Sequence, residues 1–126
     1  MTLANFNEKY KYVSDVTQYG RKEHWVVMKP NAIGFYEGDC EDYALTVKKY
    51  ISEYKDWELW YCKLNGNGHC VLRKGNNILC SGSRKPTNIE VYIPKFTATG
   101  FFKYPWVLIK IKMFGAMLQR LYSKVM

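Results

Sequence analysis

The stretch YEGDCEDYAL, residues 36–45, decides how the chain is read. Gly38 punctuates it, Asp39 is a good helix N-cap, and Asp42 stands three positions later, where a capping box places an acid. From Cys40 to about Tyr54 the apolar residues Ala44, Val47, Ile51 and Tyr54 recur at helical spacing. Cys40 is then the first helical residue. A cysteine reacts as its thiolate, and the unpaired amides at a helix N-terminus favour that charge. The same amides can line an oxyanion hole. Asp39, Glu41 and Asp42 act the other way unless they point aside; capping aims Asp39 and Asp42 at backbone amides.

Outward from this segment, length and composition set bounds. A chain of 126 residues with 48% apolar and 17% aromatic residues is expected to be one globular domain, 1–126, with its own core. The opening MTLANFNEKYKY has no apolar core of a signal peptide, and no run has the length of a transmembrane helix. A cytoplasmic setting with four reduced cysteines is the expectation. The formal net charge of +8 favours acidic partners only generally, because the basic residues are dispersed.

Residues 5–13 have helical character, and 14–30 read as loop and turn closed by Pro30. After the central helix the period changes. WELWYCKL (57–64), HCVLRK (69–74) and ILCS (78–81) read as strands joined by turns at NGNG (65–68) and GNN (75–77). SGSRKPTN reads as a loop, and IEVYIP (89–94) alternates as a half-buried strand would. The tail is strand-like to about Met113 and then helical, with Met117, Leu118, Leu121 and Val125 on one face. Helix, antiparallel meander and short helix make an α+β domain.

A nucleophilic thiol needs a base, usually histidine, and the chain has only His24 and His69. A two-residue turn at Gly66 and Asn67 pairs His69 with Leu64. A second turn at Gly75 and Asn76 sets Val71 opposite Cys80 and Arg73 opposite Ile78. His69, Val71, Ile78 and Cys80 then share one sheet face, with Cys70 and Leu72 on the other. A helix packed on the His69 face would bring Cys40 to the imidazole. A zinc site from Cys62, His69, Cys70 and Cys80 is disfavoured: no CxxC pair occurs and alternation turns Cys70 away from His69. No GxGxxG or Walker pattern occurs, so no cofactor or metal is expected.

YVSDVTQYGRKEHW, then a proline, then GDCEDYAL, and finally GHCVL at 68–72, resembles the bacterial transglutaminase-like cysteine peptidase family. That pattern runs from an aspartate and a tyrosine-glycine, through a tryptophan and a proline, to a GDCEDYA-type motif and a later GHAVL strand. The likeness spans roughly residues 10–82. It implies a papain-like, transglutaminase-type core, with a cysteine-bearing helix packed on an antiparallel sheet that carries the histidine and an acid. By resemblance Cys40 is the nucleophile, His69 the general base, and Gln18 an oxyanion-hole side chain. The small size would suit a phage or bacterial protein.

One departure stands out. The family's third member is an aspartate on the strand after the histidine, where this chain has ILCSG and so Cys80 or Ser81. A neutral thiol cannot hold an imidazolium as a carboxylate does. Asn76 or Asn77 could orient the ring, Glu90 could arrive from the next strand, or the third member is lost. The resemblance thus implies a cysteine hydrolase acting on amide bonds of a protein or peptide substrate. The alternative is a catalytically weakened or inactive member serving as a binding module. Its support is the missing aspartate and a basic amphipathic segment, 105–126, which could lie on an anionic membrane or dock on a partner protein. Nucleic acid ranks last, resting on charge and aromatics alone.

Overall fold

A computed structural model describes residues 1–14, 25–105 and 107–115. The chain opens with helix α1 (Leu3–Lys9), capped by Thr2, and strand β1 (Tyr10–Tyr12). β1 pairs in parallel with β2 (Tyr36–Gly38), which leads directly into helix α2 (Cys40–Tyr50). A single 3-10 turn, Ser52–Tyr54, follows α2, so the helical segment expected to reach Tyr54 changes type after Tyr50. Lys48 closes this corner by donating from Nζ to the carbonyls of Lys55 and Trp57.

Five strands form an antiparallel sheet. They are β3 (Glu58–Leu64), β4 (Asn67–Lys74), β5 (Asn77–Leu79), β6 (Thr87–Asn88) and β7 (Ala98–Lys103), in the order β6-β5-β4-β3-β7. The architecture is of the α+β class, as the sequence implied. The second hairpin has the expected register, with Arg73 opposite Ile78. The first does not: Leu64 pairs with Asn67 and Cys62 with His69, because Asn65 and Gly66 form the turn. Both have positive φ (50° and 84°), the conformation a tight hairpin turn requires and Asn-Gly supplies. The two-residue slip preserves every residue's face.

Two segments expected as strands are helical. Ile89–Phe96 forms helix α3, started by Asn88, whose side chain accepts the Glu90 N–H at 2.9 Å. Its inward residues Ile89, Tyr92 and Phe96 lie three and four apart, a helical stripe hidden within an alternating sequence. The final strand comes earlier than expected, from ATGFFK, and residues 107–115 form helix α4. The helical face expected from Met117, Leu118, Leu121 and Val125 lies outside the described residues.

Helices cover both faces of the sheet. On one, α2 packs over β4, and Phe6 of α1 and Ile109 of α4 join the same core as Leu59, Cys70, Leu72 and Leu79. On the other, α3 packs Tyr92 over Cys62, Val71, Ile78 and Cys80. Among the described residues no helix is long and apolar enough to cross a membrane.

Candidate active site

The N-terminus of α2 is built as its sequence dictates. Asp39 accepts the Asp42 N–H at 3.3 Å, and Asp42 accepts the Asp39 N–H at 3.4 Å, completing the capping box. Asp42 also accepts the Val26 N–H at 3.0 Å, and Thr46 accepts that of Met28 at 2.7 Å. Two buried side chains of α2 thus fasten the segment that precedes it. Gly38 is required by this crowding: a Cβ there would lie 2.6 Å from the Met28 sulfur and 2.8 Å from Asp42. The Tyr10 hydroxyl donates to the Gly38 carbonyl at 2.8 Å, tying β1 to the same corner.

Cys40 occupies the first helical position and is 8% exposed. Its thiol donates to Glu41 Oε2 at 3.4 Å. Burial pushes the Cys40 pKa well above its ordinary value, and the Glu41 carboxylate adds to the rise. The backbone N–H of Cys70, within hydrogen-bonding reach of the sulfur, acts in the opposite direction but does not prevail. At neutral pH the resting group is therefore a thiol.

His69 is half-buried and stands opposite Cys62 on β4, so both side chains leave the face covered by α3. α2 packs on the opposite face, with Cys40 among Cys70, Leu72 and Leu79. The expected packing of the Cys40 helix on the His69 face is thus corrected. Alternation shows which residues share a face, but it does not say which face a helix takes. Cys40 and His69 are nonetheless close in the chain path, because the Cys70 N–H beside the sulfur belongs to the peptide that follows His69.

His69 acts on Cys80, which shares its sheet face, by charge and hydrogen bonding that lower the Cys80 pKa. The ring's Nε2 is buried and has no hydrogen-bond partner among the described residues. The Cys80 sulfur also lies 3.1 Å from the Tyr92 hydroxyl and accepts the Ser83 N–H at 3.4 Å. Burial raises its pKa, but hydrogen bonding and charge from His69, with help from Tyr92 and Ser83, outweigh burial and bring it down to about 7. Cys80 is 0% exposed and cannot itself meet a substrate.

Asn77 does not join this group. It begins β5 opposite Lys74, five residues along β4 from His69, or roughly 17 Å at about 3.4 Å per residue. Glu90 lies exposed on α3, and Asn76 contributes a carbonyl to the Ile89 N–H. Gln18 and His24 lie outside the described residues. All four cysteines are free, and among the described residues no group of acids, histidines and cysteines is arranged to hold a metal ion. A cleft lined by Lys48, Trp57, Glu58 and Tyr104 opens near the C-terminal end of α2, away from Cys40.

Tyr92 and the Ser83 amide escaped sequence reasoning. Reading 89–94 as a strand left Tyr92 with no particular neighbour, whereas its helical spacing from Ile89 and Phe96 was the available signal. No family model and no curated protein matches the chain.

Proposed function

We propose that the protein is a cysteine-dependent hydrolase acting on amide bonds of a protein or peptide, with Cys40 as nucleophile and His69 as base. The observation that carries this is the seat of the Cys40 sulfur, at the first residue of a capped helix and facing the N–H of the peptide that follows His69. The peptide that joins His69 to Cys70 thus lies beside Cys40 at the N-terminal end of α2. Such a seat offers amide donors for a developing oxyanion.

The raised Cys40 pKa makes this a general-base reaction and not an attack by a standing thiolate. The sulfur attacks the carbonyl carbon as His69 takes the thiol proton. His69 then gives that proton to the leaving amine, the C–N bond breaks, and a thioester remains on Cys40. Water, losing a proton to His69, attacks the thioester; the C–S bond breaks, the acid leaves, and the proton returns to sulfur. Proton transfer requires the imidazole to turn toward Cys40 at the start of β4. Catalytic hydrogen bonds commonly tighten only when substrate binds.

The test is an activated acyl donor, p-nitrophenyl acetate, with intact-mass and peptide mass spectrometry. A burst of nitrophenol with the acyl group on Cys40, absent in Cys40→Ser, supports the proposal. Acylation no faster on Cys40 than on surface lysines overturns it.

A second function is favoured by α4. Val107, Ile111 and Phe114 are 68%, 60% and 56% exposed and lie four and three residues apart, forming one apolar face beside exposed Lys110. Such a face suits docking on an anionic membrane or a partner protein. Co-sedimentation with phosphatidylserine vesicles, lost in Ile111→Glu, is the test for the membrane.

A further inference from the structure

We propose that Arg84 selects the substrate of the Cys40 site: its guanidinium binds a carboxylate of the peptide, so acidic peptides are preferred. That the carboxylate belongs to a substrate rests on the hydrolase proposed above; the anion site itself does not.

Arg84 lies in the loop between β5 and β6 and is exposed, yet it is fixed from several sides. Its N–H donates to the Cys80 carbonyl at 2.8 Å, and its own carbonyl accepts from Asn7 Nδ2 at 2.6 Å. Its Nε donates to the Ser81 carbonyl at 3.1 Å, and its guanidinium carbon stands 5.0 Å from the centre of the Tyr10 ring. The backbone is held at φ 56°, a left-handed conformation that a residue other than glycine adopts at a cost. An exposed arginine ordinarily keeps its rotamer freedom; here the backbone, the Nε and one face of the guanidinium are all committed.

Two of these contacts lead to Cys40. The Tyr10 ring carries the guanidinium on its face, and its hydroxyl donates to the Gly38 carbonyl at 2.8 Å, two residues before the cysteine. Asn7, which holds the Arg84 carbonyl, accepts the Tyr43 hydroxyl at 2.7 Å, and Tyr43 belongs to the first turn of α2. Burial raises the pKa values of Tyr10 and Tyr43, and the Arg84 charge opposes that rise in both. The positive charge thus stands one tyrosine ring away from the peptide that leads into the nucleophile. The Nη donors form the planar fork that matches a carboxylate, and among the described residues no acid takes them: the ion pairs there join Lys74 to Asp56 and Lys103 to Glu58. Asp39, beside the cysteine, directs its carboxylate to the Asp42 N–H. A preset fork next to a nucleophile is suited to an anionic group on the substrate.

The experiment is a titration of the isotope-labelled full chain, followed through the backbone N–H signals of Gly38, Cys40 and position 84 by two-dimensional NMR. The probes are N-acetyl-glutamic acid α-amide, with a side-chain carboxylate, N-acetyl-glutamine, with a terminal one, and the neutral N-acetyl-glutamine amide. Saturable shifts are expected with a carboxylate probe and none with the neutral amide. Which carboxylate binds tells whether an acidic side chain or a chain end is recognised. The apparent Kd should rise about tenfold or more in Arg84→Gln and stay unchanged in Lys85→Gln, which removes the same charge one residue away. Shifts that do not saturate, that are equal with the neutral amide, or that weaken as much in Lys85→Gln, overturn the proposal; the comparison of charged and neutral probes in wild type stands even if Arg84→Gln does not fold. Acylation of Cys40 by the p-nitrophenyl monoester of adipate, read against p-nitrophenyl hexanoate, should favour the anionic ester, and that preference should vanish in Arg84→Gln. Carboxylate binding without Cys40 acylation by either ester upholds the anion site and counts against the hydrolase; acylation by both without carboxylate binding does the reverse.

Discussion

The N–H of Cys70 faces the sulfur of Cys40. Because that N–H belongs to the peptide after His69, the two residues of the sequence motifs meet through one peptide group although β4 sends the His69 side chain to the other face. Cys40 lies on the α2 side, and on the α3 side the Tyr92 hydroxyl lies 3.1 Å from the Cys80 sulfur.

Removing the Glu41 charge should free the Cys40 thiol. The Glu41 carboxylate raises the Cys40 pKa, so Glu41→Gln lowers it. Each unit of decrease multiplies the thiolate fraction about tenfold where thiol predominates. Iodoacetamide labelling of Cys40 at fixed pH, read peptide by peptide, should quicken in Glu41→Gln; an unchanged or slower rate would show that the carboxylate does not act on the sulfur.

Asp42 should matter more for stability than for chemistry. It is fully buried and accepts the Val26 and Asp39 N–H groups. Asp42→Ala removes a cap and strands a buried donor, at a cost of about 2–4 kcal/mol. Asp42→Asn keeps an acceptor and should cost less. Urea unfolding measures both, and equal midpoints for the two variants would contradict the assignment.

The first hairpin depends on its turn. Gly66 has φ 84° with open space around its missing Cβ, so the penalty for alanine there is conformational and not a clash. Gly66→Ala should cost about 1 kcal/mol, seen as a lower thermal midpoint. Gly38→Ala, which would crowd Met28 and Asp42, should cost about 1–3 kcal/mol by overpacking.

Stability should fall on the alkaline side. Burial raises the pKa values of Cys40, Cys62 and Cys70 in the folded chain, and those of Tyr10, Tyr43 and Tyr92. A group that loses its proton more readily when unfolded contributes fully below its unfolded pKa and loses that contribution above it. The unfolded thiols titrate near 9.0 and tyrosines near 10.0, so urea midpoints should drop progressively above pH 9. Cys80 has the opposite sign: its pKa is lowered to about 7, so its contribution is present above 9.0 and fades as pH falls through 7. A flat profile from pH 7 to 11 would contradict the burial of these groups.

Much of this was legible from local chemistry. Asp39 and Asp42 announced the start of α2, and the second hairpin's register followed from Gly75 and Asn76. What failed were segments whose neighbours decide. IEVYIP is rich in β-branched residues, yet the Asn88 cap and the burial of Tyr92 against Cys80 make it a helix. The last strand was obscured by Thr97 and Gly100, both at positive φ, and by a register shift between Tyr61 and Lys63. At the site, alternation correctly grouped His69 with Cys80, whereas the face taken by α2 was decided by packing.

The central claim, that Cys40 and His69 work as a pair, is tested most directly by per-cysteine iodoacetamide alkylation across pH in wild type and His69→Ala. Cys40 should label fastest of the four cysteines, and His69→Ala should slow it by at least about 100-fold near neutral pH, the lower end of what a positioned base contributes. Labelling of Cys40 no faster than that of Cys62, Cys70 or Cys80, and unchanged by the substitution, would contradict it.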